Sequence, residues 1–266
     1  MIELADVSYR YPGYARQAIS DVTLTIADGE IVGLVGPNEA GKSTLCLVAS
    51  GLAPASIGGH LRGAVRVDGV PLAGLRTHEL AVRVGLVFAD PGTQRSGVTA
   101  TVFEELAFGP VNMGLPVAET VARTRRALAA LGIESLALRD PGRLSGGQAQ
   151  LVAIASLLAM EPHHLVLDEP TAQLDPAGAH LVGEALRRLA DSGTALLIAE
   201  HRTDLLDGLC GRVIAIEGGR IVLDGAADDV LADPRLEDLG VEPPSRIRLA
   251  RTLTARGLAL PAGALP

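Results

Sequence analysis

The chain has 266 residues, enough for one large domain or two small ones sharing a core, and it is 48% hydrophobic but only 2% aromatic, with no Trp. Its core is therefore built mainly from Leu, Val, Ile and Ala, which suits parallel strands covered by helices. A net charge of -8 and a pI near 5.3 argue against a non-specific nucleic-acid binder, and two isolated cysteines, Cys46 and Cys210, read as buried reduced thiols outside any metal or disulfide framework.

The opening segment MIELADVSYRYPG lacks the basic and apolar regions of a secretory signal. No stretch approaches the roughly 20 apolar residues of a membrane span, so a cytosolic protein is expected, docked at most on a membrane partner. Residues 1 to 30 read as short strands with turns at Pro12-Gly13 and Asp28-Gly29, a small antiparallel β-subdomain beside a larger sheet. Tyr9 and Tyr11 alternate along the first strand; Tyr11 either packs into it or offers a ring face to a flat ligand.

Ile31 to Val35, Leu165 to Leu167 and Ala195 to Ala199 are short, uncharged and rich in branched residues, as strands buried on both faces should be. Helical periodicity between them implies a parallel α/β sheet. Directly after the first run, Gly36-Pro37-Asn38-Glu39-Ala40-Gly41-Lys42-Ser43 fits GxxxxGK(S/T), and a helical run begins at Thr44. Backbone N–H groups of such a loop point inward beside the positive end of the helix, which makes residues 36 to 44 a phosphate cradle. Lys42 is expected to reach the β- and γ-phosphates of ATP and the Ser43 hydroxyl to ligate Mg²⁺. Glu39 brings a carboxylate close to this anion site and is expected to point outward, leaving its N–H available.

From about Gly92 to Leu144 the pattern turns helical, with Val117, Val121, Leu128 and Leu131 on one face and Gly132 as the stop, an inserted helical subdomain. Leu144-Ser145-Gly146-Gly147-Gln148 then precedes an apolar helix carrying Leu151, Ile154, Ala155 and Leu158. Ser145 and Gln148 can form a capping box, and the glycines leave the helix start bare to face an anion.

His164-Leu165-Val166-Leu167-Asp168-Glu169 places two carboxylates at the C-terminal end of a buried strand, where parallel sheets hold their ligands. Asp168 is expected to hold Mg²⁺ through water and Glu169 to polarise the attacking water. His201 emerges at the same edge after Ala195 to Ala199 and is assigned to sensing the γ-phosphate. Ile214 to Leu223 reads as a hairpin turning at Gly218-Gly219. The tail beyond Pro234, with Pro243-Pro244 and a basic stretch from Arg246 to Arg251, reads as an appendix.

With LSGGQ lying 20 residues before Asp168, residues 1 to 230 resemble the ABC ATPase family in motif identity, order and spacing. The resemblance implies a P-loop NTPase (RecA-like) parallel sheet with an N-terminal antiparallel β-subdomain, a helical subdomain inserted at about 92 to 160, and a C-terminal helical appendix over 231 to 266. It implies two cassettes paired head to tail, as a homodimer or heterodimer. Ser145, Gly146, Gly147 and Gln148 of one would close on the γ-phosphate held by the other, Asp175 would be the acid of the D-loop, and Tyr11 would stack on adenine.

Phe108-Gly109-Pro110-Val111-Asn112-Met113-Gly114-Leu115 and Ala199-Glu200-His201-Arg202 are similar to the ATPases of energy-coupling-factor importers, which serve vitamins and cobalt or nickel. That subfamily implies a transmembrane coupling subunit and a substrate-binding membrane subunit as partners, no nucleic acid, and a peripheral location on the cytoplasmic face of the cell membrane. The membrane-embedded subunit would choose the cargo. Two other readings remain open: a soluble, non-transport ABC ATPase, and a nucleotide-binding subunit with reduced catalysis.

The chain departs from the family pattern at two places. Gln is expected after Val84-Gly85-Leu86-Val87-Phe88, where it would touch Mg²⁺ and the attacking water and sense the membrane partner, but Ala89 stands there. Gln94 does not simply replace it, since related sequences often carry Gln there as well. Ala149 and Leu151 also stand where relatives often carry a basic residue. Slow hydrolysis, or pairing with a second, complete ATPase, follows from the Ala89 departure. Ala89→Gln is expected to raise the ATP turnover of a transport-competent complex, and an unchanged hydrolysis rate would count against this reading.

Overall fold

The computed structural model describes residues 1–191 and 193–256, so the last part of the expected appendix, 257 to 266, lies outside the described residues. Strands follow in chain order as β1 (Ile2–Arg10), β2 (Ile19–Ile26), β3 (Ile31–Val35), β4 (His60–Val67), β5 (Val70–Pro71), β6 (Val84–Val87), β7 (His164–Asp168), β8 (Ala195–Ala199), β9 (Arg212–Glu217) and β10 (Arg220–Ala226). Helices are α1 (Lys42–Ala49), α2 (Leu52–Ala55), α3 (Thr77–Ala81), α4 (Val102–Asn112), α5 (Val117–Leu131), α6 (Gly146–Leu158), α7 (Pro176–Asp191), α8 (Thr203–Leu206), α9 (Ala227–Leu231), α10 (Arg235–Asp238) and α11 (Ser245–Ala255).

The strands make two sheets. One is antiparallel, in the order β2, β1, β4, β5; the other runs β10, β9, β3, β8, β7, β6, parallel except for the antiparallel edge strand β10. The expected α/β architecture with a parallel sheet and an N-terminal antiparallel sheet is therefore present.

Period-two geometry explains why the parallel strands read as unbroken apolar runs: successive side chains enter two different cores. Val32, Leu34, Val166, Leu197, Ala199, Ile214 and Ile216 face a core shared with α1 and the antiparallel sheet. Val35, Leu165, Leu167, Leu196, Ile198, Val213 and Ala215 face the other, shared with α4, α5, α6 and α7. These parallel strands are covered on both faces, which leaves no polar alternation to read.

Three strands escape a reading of apolar runs. In β4 the sequence HLRGAVRV is mostly exposed, and Gly63 sits at φ +85°, opposite an irregularity in its pairing with β1. A Cβ there would lie 2.4 Å from the Asp6 carbonyl oxygen. β5 has only two residues. In β6, Gly85 interrupts a four-residue run because a Cβ would come within 2.8 Å of the Leu165 side chain on neighbouring β7.

The expected face of α5 needs one correction. Its buried stripe is Thr120, Thr124, Ala127, Leu128 and Leu131, whereas Val117 is 80% exposed because the first helical turn projects beyond the core. Gly132 ends the helix at φ +69°, the left-handed cap position that favours glycine.

The C-terminal elements pack back on the body: Leu236, Val241 and Ile247 join the larger core, and Arg246 pairs with Asp207 at 2.6 Å. Among the described residues no helix is long and apolar enough to cross a membrane.

Ile198, fully buried in β8, lies at the centre of the larger core. Ile198→Ala is expected to cost about 2–5 kcal/mol and Ile198→Val about 0.5–1.5 kcal/mol, measured by urea unfolding.

Candidate active site

Strand order brings the sequence-predicted groups together. β3, β8 and β7 are adjacent and parallel, so the residues leaving their C-terminal ends meet at one edge: Gly36 after β3, Glu200 and His201 after β8, and Asp168 with Glu169 at β7. The chain runs from β3 to the far edge at β6, returns through β7 and β8, and then crosses to β9 on the other side of β3. This reversal opens the crevice at which open α/β sheets bind ligands.

The loop from Gly36 to Gly41 cannot carry side chains at its two ends. Gly36 and Gly41 have φ of +157° and +110°, and a Cβ would stand 2.3 Å from the Ile216 oxygen or 2.8 Å from the Ala18 oxygen. Glycine thus lets the loop lie against β9 and the approach to β2. Glu39, exposed as expected, occupies the left-handed region at φ +62°.

Lys42 is 4% exposed, and its Nζ donates to the carbonyl oxygens of Gly36 at 3.0 Å and Pro37 at 3.1 Å. The same ammonium lies 3.0 Å from His201 Nε2 and 3.6 Å from Glu169 Oε1, while His201 Nε2 and Glu169 Oε1 are 3.3 Å apart. Burial lowers the Lys42 pKa against the opposing pull of Glu169 and Asp168. Burial and the nearby ammonium also lower that of His201, against the opposing pull of Glu169. Glu169 holds φ +51° in the turn after β7, its N–H bonded to the Ala199 oxygen at 2.8 Å.

Ser43 Oγ donates to Asp168 Oδ1 at 3.0 Å. Burial raises the Asp168 pKa, opposed by that hydrogen bond. A hydroxyl and a carboxylate side by side beneath a bare phosphate cradle are hard oxygen donors, a set that fits Mg²⁺ held together with phosphate oxygens and water.

The cradle opens into a cleft of about 730 Å³ lined by residues 38 to 44, Glu169 and Tyr11. The structure separates the two tyrosines: Tyr9 is fully buried, whereas Tyr11 faces the cleft and its hydroxyl meets Thr44 Oγ1 at 3.1 Å. Arg16, Gln17, Ala18, Tyr14 and Gly218 also line it and were not anticipated. Gly218-Gly219 read only as a hairpin turn, yet the Gly219 N–H bonds the Ala40 oxygen at 2.9 Å and its oxygen accepts from Ser20 N–H at 2.8 Å, pinning the phosphate loop. A second glycine after a strand gives no sign of such a long-range partner.

Ser145 to Gln148 do not line this cleft. They start α6 with the expected capping box, Gln148 N–H to Ser145 Oγ at 3.4 Å and Ser145 N–H to Gln148 Oε1 at 3.2 Å, and Ser145 and Gly146 are exposed. Gly147 is required here, since its Cβ would stand 2.8 Å from Gly178 Cα at the start of α7. Asp175 caps that turn by accepting from Gly178 N–H at 2.7 Å. At the end of β6, Gln94 is fully engaged with the strand it follows: Oε1 accepts from Phe88 N–H and Nε2 donates to the Leu86 oxygen, both at 2.8 Å.

Residues 19–172 match the ABC transporter family. This chain is a member of that family. It is 39% identical over 97% of its length, and 92% of the relative's, to a putative ABC transporter ATP-binding protein of Pyrococcus abyssi. To the energy-coupling factor transporter ATP-binding protein EcfA of Methanosarcina acetivorans it is 42% identical, covering 98% of this chain and 92% of that one. Among solved structures it resembles cbiO1 from Clostridium perfringens, part of the ABC transporter complex cbiONQ, with a TM-score of 0.78, 32% identity and coverage of 94% and 98% of the two chains. It also resembles the dimeric, post-hydrolysis ATP-binding cassette MJ0796 bound to ADP and Pi, with a TM-score of 0.71, 25% identity and coverage of 85% and 99%. The ABC fold accounts for the paired sheets and for the exposed start of α6.

Glu39 places a β-carbon in the left-handed region and a carboxylate on the rim of an anion site. Glu39→Gly in this ABC subunit is expected to raise stability by about 1 kcal/mol in urea unfolding. It should also tighten ATP binding, read by fluorescence of a labelled nucleotide.

Proposed function

We propose that this chain is the ATP-hydrolysing subunit of an energy-coupling-factor importer, with residues 1 to 230 as the ATPase unit and residues from 231 onward as an appendix. The observation that carries the proposal is the meeting of Glu169 and His201 at the Lys42 ammonium, above a Ser43–Asp168 pair and beside a bare phosphate loop. The similarity to EcfA and cbiO1 supports the importer class and partners of two kinds: a second ATPase, and membrane subunits that bind and move a micronutrient. The expected location is the cytoplasmic face of the membrane.

In this reading Tyr11 offers its ring to adenine, residues 36 to 44 surround the phosphates with N–H groups, and Lys42 neutralises charge growing on the γ-phosphate. Mg²⁺, when bound, draws charge from the phosphate oxygens, and Ser43 and Asp168 are the residues that hold it. Glu169 orients the attacking water and accepts its proton as the bond forms. His201 donates or accepts at the γ-phosphate depending on its tautomer. No covalent enzyme intermediate is required.

The half-site lacks a cap of its own. Ser145, Gly146, Gly147 and Gln148 start a helix away from the cleft, with N–H groups and dipole turned to an anion that a second cassette would bring. Asp175 stands at the neighbouring turn, in place to cross the same interface. ATP then holds two cassettes together and hydrolysis releases them, which is the motion passed to the membrane subunits.

One observation favours a slow member of the class. Gln94 is spent on the backbone of β6 and is not free to do the work expected of a Gln at position 89. Glu169→Gln is expected to lower ATP turnover by on the order of 100-fold or more. The same variant should retain ATP and form an ATP-dependent dimer in light scattering; turnover equal to wild type would refute the assignment of Glu169.

A further inference from the structure

Glu200 stands between the last residue of β8 and His201, and it is 1% exposed. It has no part in the phosphate and metal contacts assigned above, yet a buried carboxylate is costly unless its lone pairs are used. Here both oxygens are used, and on different loops. Oε2 accepts from the Thr171 hydroxyl at 2.8 Å and the Thr171 N–H at 3.3 Å. Oε1 accepts from the N–H of His201 at 3.0 Å and that of Arg202 at 3.5 Å. The Glu200 N–H is itself bonded to the Leu34 oxygen at 3.0 Å, on the strand that feeds the phosphate loop.

The two loops joined in this way are the ones whose side chains must meet. Thr171 lies two residues after Glu169, whose turn is held in the left-handed region at φ +51°, and His201 directly follows Glu200. Glu169 Oε1 and His201 Nε2 are 3.3 Å apart beside Lys42. Neither loop holds the other through its backbone at this point except by the Glu169 N–H on Ala199. A neutral apolar residue at 200 would fill the space but leave Thr171, His201 and Arg202 N–H groups without a partner.

We propose that Glu200 is a positioning residue for ATP hydrolysis. Its carboxylate ties the turn carrying Glu169 to the turn carrying His201 and so sets the separation of water-polarising and phosphate-sensing groups. The inference rests on the proposed ATPase reading. It acts through placement alone, so it should move turnover and not nucleotide affinity, since the phosphate loop and Tyr11 are untouched.

The test compares Glu200→Ala, Glu200→Gln and Thr171→Val in the full chain, reading kcat, the Kd for ATP and the thermal midpoint. Glu200→Ala is expected to lower kcat by on the order of 10- to 100-fold, with Kd within about twofold of wild type. Glu200→Gln can turn its oxygen to the His201 and Arg202 N–H groups and its NH₂ to the Thr171 hydroxyl oxygen but no longer accepts from the Thr171 N–H, so its kcat should lie clearly above that of Glu200→Ala and below wild type. Thr171→Val should lower kcat by a few-fold, about 3 to 10, and add nothing to Glu200→Ala.

Equal damage in the Gln and Ala variants, additive loss in the double variant, or a fall in ATP affinity matching the fall in kcat would each overturn the proposal. Should Glu200→Ala fail to fold, Thr171→Val decides it: unchanged kcat overturns, a drop at constant Kd supports. Glu169→Gln run alongside separates the two ideas. If wild type itself hydrolyses no ATP, the ATPase reading is what fails; if Glu169→Gln hydrolyses like wild type, the assignment of Glu169 fails; if that variant is dead while the Glu200 variants keep full kcat, only the role of Glu200 fails.

Discussion

Burying the Lys42 ammonium is the constraint around which this edge of the protein is arranged. Removing a full positive charge from water costs several kcal/mol unless acceptors and opposite charges meet it. Here two carbonyl oxygens of its own loop, the His201 ring and the Glu169 carboxylate surround it. These contacts come from the ends of three neighbouring strands, so the strand order of β3, β8 and β7 is a condition for solvating the lysine as well as for building the site. The cost of burial is offset only when all of them arrive together.

That arrangement tolerates backbone strain in a small region. Glu39 and Glu169 both adopt positive φ, and the conformations of Gly36 and Gly41 leave no room for a β-carbon. The strain is held by contacts from outside the loop: the hairpin turn at Gly219, the approach to β2 at Ala18 and Ser20, and the Ala199 oxygen. The antiparallel sheet therefore does more than extend the core. Its second strand supplies the abutment against which the phosphate loop is pressed, and its first places Tyr11 over Thr44.

The same geometry fits the proposal that two cassettes complete one site. Ser145 and Gln148 satisfy each other in a capping box, and the close approach of Gly147 to Gly178 sets α6 against α7. This leaves the start of α6 rigid and exposed but away from the cleft of its own chain. A helix start that lies outside the cleft of its own chain is consistent with the proposed closure by a second cassette, in line with the dimeric relative. Ala89 stands at the end of β6 where the family pattern has Gln, beside a knot made by Gln94.

Much of this was legible from the residues in order. The phosphate loop, the carboxylate pair ending β7, His201 after β8 and the LSGGQ helix start are local patterns, each produced by a strand end or a helix start that a few neighbours specify. The fold class followed from apolar runs with helices between them. Tertiary structure alone decided what distant segments contribute: Gly219 holding the loop from 180 residues away, Tyr11 and not Tyr9 facing the cleft, and Glu200 joining two turns that no spacing connects. It also decided the fate of β4, β6 and Val117, whose burial depends on which surface happens to lie opposite. Local hydrogen-bond and packing needs are written along the chain, whereas a partner across the fold exists only once the sheet has brought it there.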